Sequence, residues 1–215
     1  MARSGTSTKV GEDRSSASTL TREKLIAAAV HSLREQGFAG ASARDIAARA
    51  GCNQGLVFYH FGSVGNLLLA ALDAVSSTRM ESYRAAVRGS RGLPELVEVA
   101  RGIFEEDLDA GHMAVLAEMI AGSSSTPGLG AAVAQRIGPW QIFAADAIRS
   151  ALEGTPLADA LPADVIAHGI VALYLGLEML AHLDGDRSRA LTLFDTARGL
   201  AGFFAALGTN TREDM

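Results

Sequence analysis

Apolar positions recur along this chain at spacings of three and four, the period of a helix that buries one face. In residues 21–36 the stripe is Ile26, Ala29, Val30 and Leu33; Gly37 then stops the helix and Phe38 folds back over its end. A shorter pair follows in residues 42–61. Ser42 is placed to cap the first member, since its hydroxyl can accept from a free backbone N–H of the first turn. Ile46, Ala47 and Ala50 fall inside, and Arg44, Asp45 and Arg49 outside. Gly51 ends that helix, Asn53 can cap the next, and Val57 and Phe61 close the inner face four residues apart. Two short helices with small residues at their crossing, Ala47 and Gly51, form the pattern of a helix-turn-helix, whose second helix enters a major groove.

Ser63 reads as another N-cap, opening a helix to about residue 87 through Leu67, Leu68, Ala71 and Val75. The pattern then restarts in residues 93–109, 113–121, 129–153, 162–183 and 189–207, with breaks at Gly111, at 122–128, at Gly154 and at 184–186. Pro139 stands inside the fourth of these helices and predicts a kink there. The last two segments are apolar on most faces, through Ala167, Ile170, Val171, Tyr174, Leu175 and Leu177 in one and Leu193, Phe194, Leu200, Phe203 and Phe204 in the other. Such helices must be covered on most sides, and a subunit interface is the economical covering, with ligand lining as its rival. The expected class is all-α, with about nine helices. Residues 1–18 are expected as a disordered arm, 19–64 as a three-helix helix-turn-helix domain, and 65–210 as a helical body.

Composition adds limits. Of 215 residues 48% are hydrophobic and only 6% aromatic, which favours packed helices over sheet. The single cysteine, Cys52, excludes an internal disulfide and fits a reducing cytoplasm. No apolar run of signal-peptide length opens the chain, and the apolar stretch 165–183 is interrupted by His168, Glu178 and His182, so it is expected as a buried helix and no membrane is expected as a partner. The net charge of −5 hides an asymmetry: eight Lys and Arg stand against five Asp and Glu in residues 1–65, and eleven against nineteen in the remainder. A mildly basic end on an acidic body suits a chain that meets phosphates at one end.

Catalytic and metal patterns are weak. The run Glu105, Glu106, Asp107, Asp109 with His112 points around a helix and cannot converge, so it is expected as a solvated face. Glu178 and His182, four apart, read as a buried hydrogen-bonded pair or a helix-end pair. No phosphate-binding glycine loop, nucleophile elbow or zinc cysteine set is present, so neither enzyme nor cofactor nor metal is expected.

The run 38–68, F-A-G-A-S-A-R-D-I-A-A-R-A-G-C-N-Q-G-L-V-F-Y-H-F-G-S-V-G-N-L-L, resembles the N-terminal domain of the TetR/AcrR family of bacterial transcriptional regulators. The joint signature is I-A-x-x-A-G, the Y-H-F ending, and the following Ser and Leu. This resemblance covers about the first third of the chain. It implies a dimeric repressor on a palindromic operator, dimerised through its last two helices, with a small-molecule effector held in the body. By position it puts Gln54, Gly55 and Leu56 toward base edges, Tyr59 and His60 toward phosphate, and Ser42 and Arg44 at the backbone-facing helix, with Asn53 also in the DNA-binding set. Gln can pair with adenine and Leu can meet a thymine methyl. Val64 replaces a common Lys, Phe58 a common Tyr and Cys52 a common Val, so more of the affinity is expected to rest on Arg44, Arg49 and the arm. For the effector, Phe104, His112, Met113, Met119, Trp140, Phe143, Tyr174 and Glu178 are the candidate wall, with Trp140 first among them. The alternative is an all-helical ligand-binding or enzymatic bundle whose head no longer binds DNA.

Overall fold

The computed structural model describes residues 7–155 and 157–210. Their order is α1 (Ser7–Gly40), α2 (Ala43–Arg49), α3 (Gly55–Phe61), α4 (Val64–Val87), α5 (Leu93–Ala110), α6 (His112–Ser123), α7 (Leu129–Leu152), α8 (Leu157–Ala160), α9 (Ala163–Asp184) and α10 (Ser188–Asn210). Among the described residues there is no strand, so the all-α class stands, with one single-turn element, α8, beyond the nine expected.

α1 differs from expectation at its start. Residues 7–18, expected as part of a disordered arm, are helical, and residues 1–6 lie outside the described residues. Extending an existing helix adds one hydrogen bond per residue without a new nucleation cost, so a polar segment can propagate from the apolar one behind it. Thr21 belongs to this continuation, its hydroxyl donating to the Ala17 carbonyl at 2.9 Å. At the other end Gly37 takes φ 71°, the left-handed turn expected from the sequence. The buried stripe is Leu25, Ala28, Ala29, Ser32 and Leu33, with Ile26 and Val30 at its margin, one residue round the helix from the predicted set.

The chain divides into two compact units, and the division is not the linear cut expected near residue 64. The first unit runs to Ser76 and adds Ala114–Val133; the second holds Ser77–Met113 and everything from Ala134 on. The first unit's core joins Leu25, Leu33, Ile46, Val57, Leu67 and Leu68 to Val115, Met119, Leu129 and Val133. A three-helix head of about 50 residues is near the lower limit for independent folding. The extra apolar side chains from α6 and α7 supply what the head alone lacks.

One interlock in this unit is tight. The Phe38 backbone N–H donates to Glu118 Oε2 at 2.7 Å, and the Phe38 ring lies where a Cβ at Gly122 would come within 2.3 Å of it. α6 thereby holds the corner between α1 and α2.

In the second unit Ala145, Ile148, Leu152 and Ala167 form a small core between α7 and α9. α7 continues as helix through Pro139, which has no N–H for the Gln135 carbonyl one turn back, so the expected kink does not break the helix. Asp184, Gly185 and Asp186 make the α9–α10 turn, with Asp186 N–H donating to Asp184 Oδ1 at 3.1 Å and Ser188 N–H to Asp186 Oδ1 at 2.8 Å. α9 is long and apolar enough, by length and composition, to cross a membrane. It is not the buried helix expected: Val165, Ile170, Leu173, Leu180 and Leu183 are exposed, as are Leu193, Leu200, Phe203 and Phe204 on α10.

Candidate functional site

Two groups of residues carry chemistry. The first is the outer face of α2 and α3. Ser42 takes extended backbone and its Oγ accepts from Asp45 N–H at 3.1 Å, the predicted cap. Ala43, Ile46 and Ala47 are buried, which leaves Arg44 and Arg49 outside. Asn53 Oδ1 accepts from Gly55 N–H at 2.7 Å and so fixes the start of α3. Val57 anchors that helix in the core. Ser63 Oγ accepts from Asn66 N–H at 3.1 Å, and Asn66 Nδ2 donates to the Phe61 carbonyl at 2.9 Å, which ties α4 to the end of α3.

This packing exposes Ser42, Arg44, Asn53, Gln54, Gly55 and Tyr59 together. Tyr59 is 78% exposed, and its ring meets His60 edge-on at 5.0 Å. Leu56 is half-buried against the core, and the more exposed apolar side chain on α3 is Phe58. Arg49 donates to Glu35 Oε2 at 2.6 Å, and Glu35 also meets His31, so part of the expected basic surplus is neutralised on the protein itself. Among the described residues Arg44 makes no such pair.

The second group lies inside the second unit. Arg79 on α4 donates from Nε to Asp107 Oδ1 at 3.1 Å and from Nη2 to Asp107 Oδ2. Its Nε also reaches the Tyr83 hydroxyl at 3.1 Å, and its guanidinium lies over the Trp140 ring at 5.2 Å. The Tyr174 hydroxyl donates to Asp107 Oδ2 at 2.7 Å, and His112 Nδ1 lies 3.0 Å from Asp107 Oδ1. Glu178 is 0% exposed; its Oε1 stands 3.7 Å from Arg79 Nη2, and neither carboxyl oxygen has a hydrogen-bond partner. Beside them Phe104 packs edge-on to Tyr174 at 5.4 Å and against Phe194 at 5.2 Å.

The electrostatics follow from burial and charge count. Burial pushes Glu178 up to about 8; Arg79 opposes this and the neighbouring Asp107 adds to it. Burial also acts to raise Asp107, but its hydrogen bonds and charge pairing with Arg79 outweigh it and hold that carboxyl below the usual range. Burial raises the Tyr83 and Tyr174 hydroxyls, with Asp107 adding to both. Burial alone would lower Arg79, yet Asp107 keeps it above its ordinary value.

Of the sequence candidates for the body, His112, Trp140, Tyr174 and Glu178 take part in this cluster, and Phe104 borders it. Met113 is buried in the second unit, whereas Met119 belongs to the core of the first. Phe143 is half-buried on α7 and stands apart from the cluster's ring contacts among the described residues. The cluster's centre escaped the sequence reading. Asp107, taken for part of a solvated acidic face, is 1% exposed. It falls at i+4 from Ile103 and i+3 from Phe104, both buried, and that register was its signal. Arg79 follows Val75 and precedes Tyr83 at four-residue steps in the same way. Glu178 meets Arg79, not His182, which is exposed.

A helix-turn-helix with a buried inner face and a polar outer face defines the class as a DNA-binding head. Residues 25–71 match the model of the family described as bacterial regulatory proteins, tetR family. Over that stretch the chain carries the family's DNA-binding domain. It is 35% identical over 88 residues to the HTH-type transcriptional repressor AcnR of Corynebacterium glutamicum, a match covering 41% of this chain and 43% of that repressor. The chain thus spans less than half the length of the curated relative it matches. In fold it is similar to a TetR-family transcriptional regulator from Cytophaga hutchinsonii, with TM-score 0.71 and 19% identity over 86% of this chain and 95% of that one. The regulator FadR from Bacillus subtilis, solved in complex with stearoyl-CoA, is also similar, with TM-score 0.68 and 13% identity over 83% and 96%.

Proposed function

We propose that this transcriptional regulator is a dimeric repressor. It binds a palindromic operator through α2 and α3 and leaves it when a small molecule occupies the second unit. The observation that carries the reading is the exposed set Ser42, Arg44, Asn53, Gln54, Gly55 and Tyr59 on helices whose opposite faces are buried. Gln54 at the first turn of α3 can pair with an adenine edge, with Phe58 in place of Leu56 as the larger apolar group for thymine methyls. Ser42, Arg44, Tyr59 and His60 suit phosphate oxygens. Two copies would present their α3 helices about one DNA turn apart, roughly 34–36 Å. The exposed apolar stripes of α9 and α10 support the second copy as the partner that covers them.

Ligand response is supported by the buried polar cluster, which has more acceptors than its own donors satisfy. The Bacillus subtilis neighbour bound to stearoyl-CoA shares this fold, so the fold can hold a ligand. These readings place the chain's work in the cytoplasm, beside DNA, with no cofactor.

The test is footprinting of the region upstream of the protein's own gene. Protection of two half-sites in successive major grooves is expected, with Gln54→Ala and Arg44→Ala each weakening it. No sequence-specific protection at low salt would sink the reading in favour of a helical bundle that has lost DNA binding.

A further inference from the structure

The cluster in the second unit has one acidic group more than its cation can answer. Arg79 is committed to Asp107 through two hydrogen bonds, and its faces are covered by Trp140 and Tyr83. Asp107 is further satisfied by Tyr174 and His112. Glu178 is left with both oxygens buried and, among the described residues, without a hydrogen bond, Arg79 Nη2 standing off at 3.7 Å. A buried polar group in that condition calls for a partner, because leaving it unpaired forfeits its hydration with no return. The partner is narrowed by charge. An anionic ligand would face Glu178 with Arg79 already neutralised, and a second buried carboxylate next to the first is disfavoured.

We infer that the effector site takes a protonated amine bearing N–H groups on an apolar, aromatic-compatible body, with the ammonium donating to Glu178. This rests on the proposed ligand-responsive function and names its ligand class. Three features agree. Among the described residues neither Glu178 oxygen has a hydrogen-bond partner. An aromatic set, Phe104 with Tyr174 and Phe194, reaches toward the carboxyl through Tyr174, which lies one turn before Glu178 on α9. The chain beyond residue 65 carries nineteen acids against eleven bases, a field that draws cations.

The requirement for N–H follows from the geometry of the need. A quaternary ammonium brings charge but no donor, and a neutral alcohol brings one donor but no charge. The charged groups acting on Glu178 are Arg79 from α4 and Asp107 from α5; Tyr83 bonds to the first, and Tyr174 and His112 to the second. With its carboxyl pushed up to about 8, Glu178 holds a proton near neutrality. Binding of an alkylammonium then releases that proton to solvent, the ligand keeping its own charge.

The test uses the full chain without DNA and reads its single tryptophan, Trp140, whose ring carries Arg79. The probes are phenylbutylamine, phenylbutyltrimethylammonium, phenylbutanol and phenylbutyrate. The amine is expected to bind at least about tenfold more tightly than the other three, the size of a charge-assisted hydrogen bond. Its affinity should rise from pH 6 to pH 8. Glu178→Gln should bring the amine down to the alcohol and abolish that rise, while leaving the alcohol little changed and the fold at least as stable near neutral pH. Equal binding of amine and alcohol to the native chain, or an amine affinity unmoved by Glu178→Gln, would overturn the assignment without recourse to the variant's folding. A parallel operator shift separates the two layers. Release of DNA by the alcohol or the acid but not the amine sinks the ligand class and keeps the function. Tight, Glu178-dependent amine binding with no effect on DNA sinks the proposed ligand response and keeps the site.

Discussion

At the scale of single residues, the second unit turns on Arg79. It sits at 8% exposure between Asp107 and Glu178, and removing it leaves two buried carboxyl groups with no cation. Breaking a buried pair from one side typically costs about 3–5 kcal/mol, because the remaining charge is stranded, whereas replacing both partners with apolar groups costs far less. Arg79→Ala is therefore expected to lose about that much in urea denaturation, and Arg79→Met with Asp107→Leu to recover most of it. A double variant no better than the single would show that the pair organises the fold beyond its own charges. Glu178 makes a second prediction, with a sign set by linkage. Folded, it keeps its proton up to about pH 8; unfolded, it loses it in the ordinary glutamate range. Between those limits the folded state holds the extra proton, so this group's contribution to stability falls as pH rises. Glu178→Gln keeps a neutral amide of the same shape. It should gain melting temperature on the native chain at pH 8 and much less at pH 5. A difference that is flat with pH would mean that Glu178 is ionised in the fold. Asp107 acts the opposite way: held below its usual range, it contributes stability above that range that is lost in acid.

At the scale of elements, the helices were legible because their apolar period and their stop residues are local properties. Gly37, Gly51 and Gly185 all take the left-handed conformation at the ends where the pattern stops. Ser42 and Ser63 cap as their positions predicted. What stayed hidden is tertiary. Nothing in the α6 sequence announces that Val115 and Met119 enter the first unit's core, or that Glu118 accepts from the backbone of Phe38. The site was half legible for the same reason. The exposed face of α2 and α3 follows from a motif, whereas Asp107 was masked by the acids on either side of it and Arg79 by the usual rule that arginine faces water. The interlock between α6 and the α1–α2 corner can be tested at Gly122. Alanine in a helix interior usually gains about 1 kcal/mol on glycine, but here its Cβ would meet the Phe38 ring within 2.3–2.5 Å. Overpacking of that kind costs roughly 1–3 kcal/mol, so the net effect of Gly122→Ala should be a loss of up to about 2 kcal/mol. Adding Phe38→Ala should make the alanine at position 122 favourable again. If the two substitutions simply add in thermal denaturation, the interlock has no energetic weight.

At the scale of the whole molecule, the charge asymmetry and the apolar stripes bear on one question, how a weakly basic head holds DNA. The head's surplus over residues 1–65 is three charges, and Arg49 is already tied to Glu35. Few phosphate contacts mean a shallow dependence on salt and a modest affinity for each half-site. In the proposed dimer, specific binding would come from two heads acting together, the second engagement proceeding at the effective concentration set by the first. Leu173 and Leu180 on α9 and Phe203 on α10 are more than half exposed, and no described residue covers them. On the proposed reading, a second copy that buries these stripes would supply the second head. The native chain should sediment as a dimer. Leu173→Asp with Leu180→Asp should sediment as a monomer of unchanged helicity, because two buried charges at a two-fold contact appear four times in the interface. Operator affinity should then fall by about a hundredfold or more, while each head still recognises a single half-site at high concentration. A native chain that is monomeric at operator-binding concentrations would leave the exposed face of α9 without this purpose, and would require one head with three surplus charges to hold an operator alone.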